Sequence, residues 1–116
     1  MSTKADIVNQ AYEEIRISGL TLSQGASGTV LGLTRLEDMM AQYLDGQNID
    51  VNYNFEAEPD INSETNVGRG FRAMMVSNLS VRLVNAYGKD IPMALQMTAR
   101  GSLNSALAVL ARNQTR

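Results

Sequence analysis

The stretch NVGRGFRAMMVSNLSVRLVNAYG, residues 66–88, decides the fold. Phe71, Met74 or Met75, Leu79, Leu83 and Ala86 recur at intervals of three to five, which makes one side of an α-helix apolar. Val76 and Val81 lie off that stripe, so the spacing predicts a helix covered on more than one side, at the centre of a bundle. Asn66 fits an N-cap and Gly88 a left-handed C-cap. Lys89-Asp90-Ile91-Pro92 then closes one helix and opens the next, with Asp90 as N-cap and the proline in the first turn, where no helical hydrogen bond is lost. The expectation is a long buried helix, a tight turn and a second long helix returning antiparallel.

Outward from that pair, the chain reads as helices over about 3–18, 29–45, 67–87 and 91–112. Thr3 can cap the first, with Asp6 three residues on in a variant of the capping box, and Ile7, Ala11 and Ile15 form its stripe. Glu13 and Glu14 point about 100° apart on a helix and do not converge, so they read as a solvated face. The loop LTLSQGASG, 20–28, has neither the spacing nor the lysine of a phosphate-binding loop. Val30, Leu33, Leu36 and Met40 stripe the second helix, Met39-Met40 reads as core, and Gly46 is its expected C-cap. In the last helix, Ala94, Thr98, Gly101, Ser105 and Ala108 share a side. A mid-helix glycine costs roughly 1 kcal/mol, so Gly101 suggests another helix passing close by.

After Gly46 the period changes. Ile49, Val51, Tyr53 and Phe55 alternate with Asp50, Asn52, Asn54 and Glu56, the pattern of an extended strand with one apolar edge. A lone strand must find a short second strand, lie across the helices, or pair with another copy. The polar connector EAEPDINSET follows. A non-helical stretch of this length in a small bundle is functional or disordered as a rule, and contact with a neighbour is the expected use of residues 47–62. The predicted class is therefore all-α, a single domain of about four helices with one extended or hairpin-like protrusion.

Composition narrows the chemistry. With no Cys and no His, disulfides, thiolate nucleophiles, the commonest metal ligand and the usual general base are all missing. An enzyme is not expected, and no cofactor, metal or catalytic residue is nominated. No apolar run approaches the roughly 18 residues of a membrane span, and the N-terminal residues lack the regions of a signal peptide. Charge is segregated. Asp45, Asp50, Glu56, Glu58, Asp60 and Glu64 have no basic neighbour between 45 and 64, a net −6. Arg69, Arg72, Arg82, Lys89, Arg100, Arg112 and Arg116 face Asp90 alone in 65–116, a net +6. Opposite patches suit self-association, one partner for each patch, or a loop lying over its own helices.

Three stretches resemble a known family. TKADIVNQAYEEIRISG opens the chain, LEDMMAQYLDGQNIDVNY leads an apolar-acidic helix through Asp-Gly into an aromatic-bearing strand, and GFRAMMVSNLSVRLVNAYGKDIP precedes a small-residue helix. In this order, over roughly residues 3–110, they resemble the head–tail connector proteins of short-tailed bacteriophages, the tail accessory factors also called packaged-DNA stabilisation proteins. The resemblance implies a virion protein made in the host cytoplasm and assembled as a ring, of twelve subunits as a rule, under the portal protein; whether the free chain is a monomer stays open. It implies that packaged DNA occupies the lumen without sequence-specific binding, and that tail, tail-spike or needle proteins dock below. Relatives carry a C-terminal extension past the fourth helix for ring and portal contacts, whereas this sequence runs to Arg116. Ile49, Val51, Tyr53 and Phe55 are the expected tail or subunit interface. Arg100, Arg112 and Arg116 are the expected contact with the portal or a neighbouring subunit. The competing expectation is a small helical nucleic-acid-binding protein that uses the seven basic residues of the C-terminal half.

Overall fold

The computed structural model describes residues 2–114. It contains α1 (Lys4–Ile17), α2 (Gly25–Gln47), α3 (Arg72–Ala86), entered through a 3-10 turn at Arg69–Phe71, and α4 (Met93–Gln114). The chain is an all-α bundle, as its patterning predicts. Among the described residues β pairing is limited to one isolated antiparallel bridge between Thr3 and Glu64. The central helix is α3, which packs on α1, α2 and α4, while α1 also packs on α2. Met74, Met75, Val76, Leu79, Leu83 and Val84 are all buried, so α3 is covered on several sides. Ser80 sits among them, its hydroxyl 2.8 Å from the Val76 carbonyl and 3.1 Å from that of Ala11, which satisfies a polar group that burial would otherwise penalise.

Thr3 and Asp6 form the capping box expected of them. Gly88 takes the left-handed conformation, φ +71°. Its N–H donates to Asn85 (3.0 Å) and that of Lys89 to Val84 (3.2 Å), the paired bonds of a Schellman ending. Other boundaries move. Asn66 is itself left-handed, φ +61°, and lies before the 3-10 turn, so it caps nothing and α3 starts without a side-chain cap. Because α4 begins at Met93, Pro92 precedes its first turn and Asp90 lies outside it. Asn48, φ +55°, ends α2 in place of Gly46; asparagine tolerates this conformation better than most residues.

The Ser/Gly run that reads as loop from 25 to 28 is helical, because its small residues let helices meet closely. A Cβ on Gly32 would overlap Val8 Cγ1 of α1. One on Gly28 would stand 3.1 Å from the hydroxyls of both Tyr12 and Tyr87. Tyr12 donates to the Gly28 carbonyl at 2.7 Å, and Tyr87, just past α3, donates to the Ser23 carbonyl at 2.9 Å. At Gly101 the expected close helix is missing: nothing lies within 4 Å of a Cβ built there.

Residues 48–68 form no strand. The segment crosses the bundle, with Ile49, Val51 and Tyr53 buried in the common core. Asn52, φ +64°, interrupts the extended backbone, so the alternation of side chains reflects burial and not a ladder. The connector answers the unpaired amides of α1: Lys4 N–H donates to Ser63 (2.9 Å) and Ala5 N–H to Ile61 (2.8 Å). Thr65 N–H returns a bond to Ser2 (3.0 Å), and Asn54 N–H bonds Thr65 (2.9 Å).

Candidate interaction site

A buried lysine holds the connector in place. Lys4, fully enclosed, follows the cap of α1 and lies one turn before Val8 on the apolar stripe. Its ammonium reaches Glu37 of α2 at 2.5 Å and Glu56 of the connector at 2.9 Å, and lies 5.0 Å from the centre of the Tyr53 ring. The charge is thus matched by two carboxylates and an aromatic face, the conditions under which a buried cation is tolerated. The hydrogen bonds from Lys4 and then Ser63 hold the Glu56 carboxyl below its ordinary pKa. Burial, followed by the nearby Glu37 and then Glu56 carboxylates, pushes the Tyr53 phenol up, and among the described residues its hydroxyl makes no hydrogen bond of good geometry.

This arrangement corrects part of the expected interface. Ile49, Val51 and Tyr53 are buried against the chain's own helices, because the connector lies across the bundle. Phe55, stacked edge-on to Tyr53 with ring centres 5.0 Å apart, remains 45% exposed and is the member of that set available to a partner. Arg100 and Arg112 are exposed on α4, and Arg116 lies outside the described residues. Arg72 bonds Gln10 and Ser2 of the N-terminal segment, and Arg82 bonds Gln42 at 2.5 Å and stands over the Tyr43 ring at 5.8 Å. Arg72 and Arg82 are therefore engaged within the bundle, while Arg69, Lys89 and Arg100 are exposed.

Two further surfaces are visible only in three dimensions. A groove of about 530 Å³ opens between α1, α3 and α4, lined by Ile17, Val76, Ala94, Leu95 and Arg69 among others. Ile17 in its lining is 73% exposed, and Met93 and Met97, neighbours of Ala94 and Thr98 in sequence, are 68% and 67% exposed. The buried side of α4 is narrow, with Leu95, Ala99 and Ala106 facing α3. Ser77 and Ser102 hydroxyls meet at 2.7 Å across that contact, and the Asn78 amide donates to the Ala99 carbonyl at 3.1 Å. Among the described residues no acidic cluster is arranged to hold a metal ion, and no helix is long and apolar enough to cross a membrane.

No protein-family model matches the chain, and no curated protein matches it. The lysine clamp had a sequence signal. Lys4, Val8, Ala11 and Ile15 are spaced four, three and four apart, which puts a charge on the buried stripe. The groove had none, because it depends on how three helices are splayed.

Proposed function

We propose that this chain is a structural, non-enzymatic adaptor of a phage virion. In this reading it is a monomer when free and forms a ring, of the twelve-subunit type, beneath the portal protein. It helps retain packaged DNA in the lumen and offers a docking surface to tail-spike or needle proteins. The observation that carries the reading is the outward face of α4. A helix held to α3 by a narrow strip presents Met93 and Met97 to solvent, with Arg100 one turn further on. Exposed large apolar side chains beside an exposed cation are what an assembly surface offers and what an isolated monomer has no use for. The resemblance in motif order to tail accessory factors supports the same assignment. Phe55 serves the tail-side or subunit contact, and Arg100 and Arg112 the portal side.

Measuring the mass of the purified chain, alone and then mixed with a portal ring, tests the proposal. The expected result is a single chain at high dilution that becomes a stoichiometric ring on the portal. A chain that ignores portals and binds duplex DNA with steep salt dependence overturns the reading in favour of the nucleic-acid alternative.

A further inference from the structure

We infer that the acidic knuckle of one copy, residues 55–61, docks in the α1–α3–α4 groove of the next copy, a head-to-tail contact between two different surfaces. The inference deepens the adaptor reading, on which it rests for closure into a ring, by naming which of the chain's own surfaces meet.

The first argument is charge left unmatched within the chain. Glu56 is paired with Lys4, while Asp50 and Asp60 accept from the backbone amides of Asn52 (3.0 Å) and Asn62 (2.8 Å). Among the described residues no ion pair joins the connector to Arg69, Arg72, Arg82, Lys89 or Arg100. The −6 and +6 segments therefore do not neutralise one another across the fold at these positions. A second copy supplies the missing complement.

The second argument is shape. In the knuckle, Phe55, Glu58, Pro59 and Asp60 are exposed. Its turn is already fixed, because Glu56 accepts from the Ser63 hydroxyl (2.9 Å) and the Asp60 amide (3.3 Å), and Ser63 N–H donates to Asp60 O at 3.1 Å. Little ordering remains to oppose docking. The knuckle stands beside Thr29, Val30 and Leu33 of α2, and none of the residues there lines the groove. The groove offers apolar walls to the Phe55 ring and the exposed Arg69 guanidinium to Glu58. Glu14 of α1 also lines the groove, so an acid is favoured on the side lined by Arg69 and Arg72. Ala94 and Thr98 keep the α4 wall low enough for a backbone to approach. Two unlike surfaces on one chain form a heterologous contact, which propagates into rings or open arrays and does not stop at a dimer.

The test uses two variants of the full chain altered only at exposed positions. The knuckle variant is Phe55→Ser with Glu58→Lys; the groove variant is Arg69→Ser with Ala94→Trp. Helical circular dichroism checks that both fold. Sedimentation equilibrium at low ionic strength, up to about 1 mM chain, should show wild-type mass rising above one chain with concentration and falling back with salt. Each variant should remain a single chain. Their equimolar mixture should form two-chain complexes and nothing larger, because one intact knuckle and one intact groove remain. A wild type that stays a single chain, a variant that associates alone as wild type does, or a mixture without complexes overturns the contact. Loading of the same variants on portal rings separates the two ideas. A full complement on the portal overturns this contact and keeps the adaptor reading. Wild-type self-association of the expected kind with no portal binding keeps the contact and overturns the adaptor.

Discussion

Lys4 Nζ stands 2.9 Å from Glu56 Oε1, joining the first turn of α1 to a connector residue 52 positions later. The same ammonium reaches Glu37, so one side chain ties together α1, α2 and the connector. Removing it leaves two carboxylates facing each other with no cation between them. Lys4→Met should therefore lower stability by about 3 kcal/mol, on the order of 10 °C in Tm, in a thermal melt. A melt within a degree or two of wild type would show that the clamp contributes nothing.

Acid should loosen the connector before it melts the helices. Glu56 titrates below its ordinary value of 4.5 in the folded chain, through hydrogen bonds from Lys4 and Ser63. Its contribution is complete above that ordinary value and is lost as pH falls through the lower folded one. Lys4, Glu37 and the Tyr53 ring are the other groups facing it. Unfolding free energy measured from pH 7 downward should fall more steeply in wild type than in Glu56→Gln. Parallel slopes would remove Glu56 from the account.

Two helical glycines should respond to alanine with opposite signs. Gly32→Ala gains helix propensity but forces a methyl into Val8, for a net loss of about 1–2 kcal/mol. Gly101→Ala meets open space in the interior of α4 and should gain about 0.5–1 kcal/mol. Denaturant midpoints read both, and shifts of the same sign would contradict the packing described for α1 and α2.

The two neighbouring rings should separate stability from assembly. Tyr53→Phe removes a buried hydroxyl without a partner and should leave stability unchanged or raise it by up to about 1 kcal/mol. Phe55→Ser alters an exposed ring and should leave the helical signal intact while reducing ring formation on the portal. Loss of the fold in Phe55→Ser would remove it from the interface.

The helical class, the capping box at Thr3 and the left-handed ending at Gly88 were legible because each rests on local periodicity or backbone chemistry. The strand reading of residues 49–55 was not reliable for an equally physical reason. Alternate burial of Ile49, Val51 and Tyr53 demands only that every second side chain face the core, and a connector crossing helices meets that demand with Asn52 left-handed in its middle. Gly28 and Gly32 illustrate a second limit. Gly28, which reads as loop punctuation, and Gly32, inside the expected second helix, both stand directly against side chains of α1, a closeness that no window of sequence contains. The same ambiguity misled in the other direction at Gly101, where no helix passes.

The bonds from Lys4 and Ala5 N–H to Ser63 and Ile61 bear on how the chain is born. At about 5–20 residues per second, a ribosome needs roughly 3–12 s to extend from the first turn of α1 to the carbonyls that complete it. Throughout that interval the nascent α1 carries its buried-to-be lysine without Glu56, and its apolar stripe without α3. The first helix must therefore wait for the middle of the chain to be translated before its buried face is complete.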